Sequence, residues 1–180
     1  MLRLTDVMGA DGAAPTHGVP SGEARAIART VTLTFEDRRR SRLLVRLDDG
    51  TEAALMLPRG TVLREGDMLA QEGGGGALVQ VRAAAESLSV ARTTEPLRLA
   101  RGAYHLGNRH VPLQIGPGWV AYQHDHVLDD LARALGLVVT TESGPFEPEA
   151  GGYRHQGSEH RHEHTHPHDD DPTHGHGHRH

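Results

Sequence analysis

From Ala26 to Val81 apolar and polar residues alternate with a period of two. In AIARTVTLTF, Ile27, Val31, Leu33 and Phe35 share one face, and Ala28, Thr30, Thr32 and Thr34 share the other. That is the pattern of a half-buried strand. LLVRL, the Asp48-Asp49-Gly50 corner and TEAALML read as a hairpin around an Asp-Gly turn. Pro58-Arg59-Gly60, Glu65-Gly66-Asp67 and the run Gly73 to Gly76 are further turn signals. Between them lie short apolar segments at Thr61 to Leu63, Met68 to Ala70 and Ala77 to Val81. Short strands so closely spaced predict a small, mostly antiparallel β domain. Ahead of it come a short apolar stretch, Met1 to Met8, and a loop of Gly, Ala, Pro and Ser that holds His17, to which no role is assigned. The basic run Arg38 to Arg40, with Arg42, is expected to be a solvated strand connection. The glycine run lacks the Gly-Lys-Ser/Thr and the helix of a phosphate loop, so it reads as a flexible turn.

From about Ala85 the period changes. Ser87 to Arg92 reads as a strand. Thr93-Thr94-Glu95-Pro96 has the look of a helix start, with a Thr cap and an early proline, and the helix is expected to run to about Leu106 and end at a left-handed Gly107-Asn108. HVPLQI follows as a strand with Val111, Leu113 and Ile115 on one face and His110 on the other. Gly116-Pro117-Gly118 is a turn and WVAYQ the returning strand. Asp125 caps a second helix with an apolar stripe of Val127, Leu128, Leu131 and Leu135, ended by Gly136, and LVVTT is the last strand. Strand, helix, strand, strand, helix, strand is the split βαβ, ferredoxin-like order. The expected class is α+β. It comprises an antiparallel β domain over residues 1–84, a ferredoxin-like βαββαβ domain over residues 85–152, and a disordered His-rich tail over residues 153–180.

The tail carries the chemistry. Ten of the fifteen histidines fall between His155 and His180, in HQGSEHRHEHTHPHDDDPTHGHGHRH. The segment has no Leu, Ile, Val, Phe, Met or Trp, so no burial would offset the entropy of ordering it. A purification tag is usually a plain histidine run, whereas Glu, Arg, Thr, Pro, Asp and Gly interrupt this one. A merely solubilising terminus would not need imidazole. His-rich tracts are a compositional signal for metal binding, and the candidate ligands are His155, His160, His162, His164, His166, His168, His174, His176, His178 and His180. His162-Glu163-His164-Thr165-His166 fits HExxH, but that protease pattern needs a rigid helix and a third ligand, and Pro167 follows at once. No catalytic constellation is found, and no enzyme activity is expected.

Cysteine is absent, so thiolate metal sites and disulfides are excluded. That disfavours Cu(I) and leaves divalent Ni, Zn, Cu and Co, with the choice among them open. The net charge of −5 gives no reason to expect nucleic acid or an anionic membrane as partner. No apolar run approaches the ~20 residues of a membrane span. The first residues lack a signal-peptide core, so a cytoplasmic protein is expected.

Several stretches together resemble the UreE family of urease accessory proteins. They are Tyr104-His105-Leu106-Gly107-Asn108-Arg109-His110, the following VPLQI-x-PG, Asp125-His126-Val127-Leu128-Asp129 with Leu135-Gly136, and PFEPEAGGY from Pro145 to Tyr153. The resemblance covers nearly the whole chain. It implies a nickel metallochaperone that delivers Ni2+ to apo-urease, with Zn2+, Cu2+ and Co2+ as competing ions. It also implies an N-terminal domain that engages partner proteins and a homodimer formed through the second domain. Two copies of His110, from the GNRH motif, would then share one nickel ion. His124 and His126 are implied as further ligands, and His155, His160 and His162 as those best placed to close the central site. The implied partners are the urease accessory GTPase and its complex with apo-urease. A passive Ni/Zn buffer acting through the tail is the alternative.

Overall fold

The structure is a computed structural model that describes residues 1–9, 27–73 and 78–150. The loop holding His17, the glycine run beyond Gly73 and the whole arm from His155 to His180, with its HExxH match, lie outside the described residues. In chain order the first half has β1 (Leu2–Met8), β2 (Ile27–Leu33), a one-turn helix α1 (Phe35–Arg38), β3 (Arg42–Arg46), β4 (Glu52–Met56), β5 (Met68–Gln71) and β6 (Leu78–Ala83). The second half has β7 (Ala85–Arg92), α2 (Pro96–Gly107), β8 (Gln114–Gly116), β9 (Trp119–Gln123), α3 (His126–Ala134) and β10 (Val138–Pro145). The class is α+β, and both sheets belong to one unit, Met1–Glu149.

The first sheet runs β2-β6-β5-β1-β4-β3. The expected hairpin is β3–β4, paired from Arg42–Met56 to Arg46–Glu52, with Gly50 at φ +87° in its turn. Three of the five pairings are antiparallel, whereas β1 with β4 and β2 with β6 are parallel. The apolar opening stretch is therefore an inner strand, β1, between β5 and β4. A register shift between Leu4 and Asp6 breaks its alternation, which hides it from a period-two reading. Thr61 to Leu63 forms no strand: Leu63 is buried, and its N–H donates to the Arg38 carbonyl at 2.9 Å. Asp48, beyond β3 at one edge, reaches β2 at the other. Its carboxylate accepts from the hydroxyls of Thr30 and Thr32 and from the Thr32 N–H at 3.1 Å. One core fills this half, from Leu4, Val31, Leu33, Leu47, Leu55, Leu63, Leu69, Val79 and Val81.

The second sheet, β10-β7-β9-β8, is antiparallel throughout, with α2 and α3 as the crossovers of the ferredoxin-like order. Side chains of β7 and β9 alternate between its faces. Ala91, Val120 and Tyr122 face the helices, packing with Leu106, Ala132 and Leu137. Leu88, Val90 and Ala121 face the other way, onto Phe35 of α1 and Phe146 just past β10. Gly102 in α2 lets Leu137 pack close, since a Cβ there would lie 2.6 Å from its Cδ1.

Three sequence expectations need correction here. Strand β8 holds only Gln114–Gly116, because Pro112 has no N–H to give and the Leu113 carbonyl is taken by the Glu149 N–H at 2.7 Å. Ile115 is then exposed rather than on an apolar face with Leu113. Val127 is exposed too, and only Leu128, Leu131 and Leu135 of the stripe pack inward. Arg38 is the third. Arg39, Arg40 and Arg42 are exposed as expected, but Arg38 is completely buried. Thr34 caps α1 by accepting from the Asp37 N–H at 3.2 Å, which turns Arg38 inward. Its guanidinium donates to the Leu63 carbonyl at 3.0 Å, to the Phe146 carbonyl and to the Glu147 carboxylate. Arg64 holds the same segment through Glu147 and, at 2.7 Å, the Pro148 carbonyl.

Arg38→Ala is therefore expected to lower unfolding free energy by about 3–5 kcal/mol, since it leaves buried acceptors unanswered. Urea unfolding of the metal-free protein measures this. A second expectation concerns acid. The hydroxyls of Thr30, then of Thr32, hold the Asp48 carboxyl below its ordinary range. A depressed carboxyl contributes stability that is present above its ordinary value, about 3.9, and lost as pH falls through its folded value. Asp48→Asn should flatten the decline in stability between about pH 5 and pH 3, measured by urea midpoints across that range.

Candidate metal centre

The described histidines sit where elements end. Helix α2 starts with Pro96 at its first turn, and the residue ahead of it, Glu95, makes no side-chain cap. The Thr93 hydroxyl instead accepts from the Glu95 N–H at 3.2 Å. At the other end the chain keeps winding. Asn108 N–H donates to the Tyr104 carbonyl, Arg109 N–H to Leu106 and His110 N–H to Gly107, at 2.9–3.0 Å. The left-handed residue is then not at Gly107-Asn108, as expected, but at His110, with φ +58°. No other described non-glycine residue has positive φ. His110 is exposed in a turn rather than opening a strand. His105, one turn earlier, is also exposed and packs edge-on to Tyr104, with ring centres 5.3 Å apart.

His124 and His126 flank Asp125, the residue that caps α3. The Asp125 carboxylate accepts from the Val127 and Leu128 N–H groups at 2.8 and 3.1 Å, as a cap should. His126 is the first helical residue and is exposed. His124 extends β9, with its N–H on the Ser87 carbonyl at 3.0 Å. Its ring is held from one side. Nδ1 lies 2.9 Å from the buried Ser89 Oγ and 3.6 Å from Asp129 Oδ2. Asp129 is itself only 3% exposed; it accepts from the Tyr122 phenol at 3.0 Å, with Arg133 3.6 Å away. Burial, and then the bond to Asp129, pushes the Tyr122 phenol well up, so it remains a donor. Sequence reasoning missed this network. Its one signal was position: Ser89 falls on the helix-facing side of β7, and Asp129 on the buried side of α3 with Ala132.

Among the described residues no three His, Asp or Glu side chains converge on a point where a metal ion could sit. The described ligand candidates are thus single imidazoles at His110, His124 and His126. Such donors suit divalent Ni, Zn, Cu or Co, and each would need ligands from elsewhere to complete a coordination shell. The tail candidates, His155 to His180, lie outside the described residues.

Residues 12–84 match the N-terminal domain of the UreE urease accessory protein, and residues 86–180 match its C-terminal domain. The chain belongs to the UreE family. It is 58% identical over 132 residues to the urease accessory protein UreE of Pseudomonas putida, covering 73% of this chain and 81% of that one. To that of Proteus mirabilis it is 55% identical over 124 residues, 69% and 76% of the two chains. To that of Vibrio parahaemolyticus it is 48% identical over 153 residues, 85% and 91%. A UreE protein is an accessory chaperone with a role in urease maturation, and not an enzyme. No helix among the described residues is long and apolar enough to cross a membrane.

The left-handed backbone at His110 yields a stability prediction. An L residue there costs about 1 kcal/mol that glycine avoids. His110→Gly in this UreE protein should therefore keep or raise the unfolding free energy of the metal-free protein, by up to about 1 kcal/mol, so its thermal midpoint should not fall. A fall in the midpoint would mean that the His110 ring supports the fold itself.

Proposed function

We propose that this chain is a nickel metallochaperone that delivers Ni2+ to apo-urease while the urease metallocentre is assembled. In this reading two chains form a homodimer and hold one nickel ion between their His110 imidazoles. Residues 1–84 engage partner proteins, and residues 85–152 carry the metal site and the dimer contact. Residues 153–180 supply further ligands, with His155, His160 and His162 nearest the fold. His124 and His126 form a second binding place. The handover partners are the urease accessory GTPase and its complex with apo-urease, in the cytoplasm. Zn2+, Cu2+ and Co2+ compete for the same imidazoles, since nothing in imidazole chemistry alone selects nickel.

The observation that carries the reading is the strained, exposed backbone of His110. Strain kept at a solvent-facing residue, where glycine would relieve it, points to a use for the side chain. Family membership supports urease maturation as the setting, and the absence of cysteine supports imidazole as the metal donor. Two imidazoles across a two-fold axis make an incomplete shell. Further histidines can close it or leave it, so the ion can be released without unfolding a closed cage.

Nickel titration by calorimetry on three forms tests this: the full chain, a truncation after Gly152, and His110→Ala. Truncation should remove many weak sites and leave one tight nickel per dimer, and His110→Ala should abolish that tight site. Loading should weaken in acid, because metal needs the unprotonated ring. If the truncated form binds no nickel tightly and His110→Ala changes nothing, the His-rich tail is the whole metal function and the protein is a buffer of Ni or Zn.

A further inference from the structure

The three described histidine candidates are not equivalent in their surroundings. No side-chain hydrogen bond among the described residues holds His110 or His126, and both are exposed. The His124 ring is half-exposed, with 44% of its side chain open to solvent, yet one nitrogen is fixed. Nδ1 meets the Ser89 Oγ at 2.9 Å, and the carboxylate of Asp129 lies 3.6 Å from the same nitrogen. Neither anchor is itself loose. Ser89 is fully buried on β7, and Asp129 is pinned by the Tyr122 phenol on β9 and flanked by Arg133 on α3.

The chemistry of the anchors favours one tautomer of the ring. An ionised carboxylate can only accept, and a hydroxyl can accept as readily as it donates. With Asp129 Oδ2 facing Nδ1, the arrangement that satisfies both anchors has the proton on Nδ1. The lone pair then sits on Nε2, at the other edge of the ring, where no described residue donates to it. A ligating imidazole needs that lone pair, and a hydrogen bond from its second nitrogen fixes both tautomer and orientation.

We propose that Ser89 and Asp129 are positioning residues for His124, holding its ring as the Nδ1–H tautomer with Nε2 presented outward to a metal ion. Tyr122 sets the Asp129 carboxylate in place for this. The proposal rests on the reading of His124 as a ligand, and it makes His124 the preorganised member of the set. His110 and His126 keep rings that no described residue holds.

Two measurements on the full chain test it, with Ser89→Ala and Asp129→Asn as the variants. Asp129→Asn keeps an oxygen for Tyr122, and Ser89→Ala changes volume little, so thermal unfolding should find both folded. The first measurement is long-range proton–nitrogen correlation on the metal-free protein, which reads the tautomer directly. His124 should be Nδ1–H in the parent and shift toward Nε2–H in each variant. The second is nickel titration alongside His124→Ala. Each variant should weaken, by about 10–100-fold, the binding component that His124→Ala removes, and should have no further effect when His124 is already Ala. An unmoved tautomer, or an unmoved affinity for that component, overturns the positioning role alone. If His124→Ala removes no component, His124 is not a ligand, and the proposal falls together with that part of the functional reading.

Discussion

A guanidinium without water is held only by what answers it, and Arg38 is answered from both halves of the fold. Leu63 belongs to the first half, and Phe146 and Glu147 follow the last strand of the second. Removing an arginine from water costs several kcal/mol, which only a nearly complete set of acceptors offsets. Of its nitrogens, Nε alone finds no partner among the described residues. The arrangement forms only when α1, the Leu63 loop and the segment after β10 are in place together. Phe35 and Phe146 meet edge to face beside it, with centroids 5.3 Å apart, and cover the outer face of β7 and β9. Those strands carry Ser89, Tyr122 and the approach to His124. The buried cation thus bears on the side that carries His124 through a sheet packed on both faces.

The histidines themselves stay out of the core. Each described candidate lies at an element's end: His110 past α2, His124 past β9 and His126 at the start of α3. On the proposed reading, a rigid frame with ligands at its exits fixes where imidazoles begin but leaves coordination unfinished within the described residues. For a permanent cofactor that would be a weakness, because structural metal sites are closed by four ligands. For a protein that must give its metal away it is an advantage, since ligand exchange needs an open position.

What the sequence made legible follows from periodicity. Alternation exposed the β3–β4 hairpin, and the change of period at about Ala85 exposed the ferredoxin-like order. The failures have local physical causes. A register shift broke the alternation of β1. Helix α1 is a single turn, too short for any periodic signal. Arg38 sits among three similar arginines, and nothing in composition says which one turns inward; the Thr34 cap decides that. Gly107 and Asn108 were the better left-handed residues by propensity, yet extra winding moved the left-handed position to His110. Histidines as a class were readable as candidate ligands. Their supports were not, because a serine in an alternating strand and an aspartate in a helix are ordinary until the fold brings them to one ring.

On the proposed function, selectivity would follow from the same division between frame and ligand. Nitrogen donors alone rank Cu(II) above Ni(II), so a nickel protein cannot rely on ligand type. A ring free to turn accepts whatever geometry the ion prefers. A ring held through Nδ1 offers its lone pair along one direction and favours an ion whose other ligands suit that direction. On the proposed reading the free rings at His110 supply capture and release, while the anchored ring at His124 supplies a directional constraint. Discrimination between ions then falls to Ser89, Asp129 and Tyr122, residues that need never touch the metal.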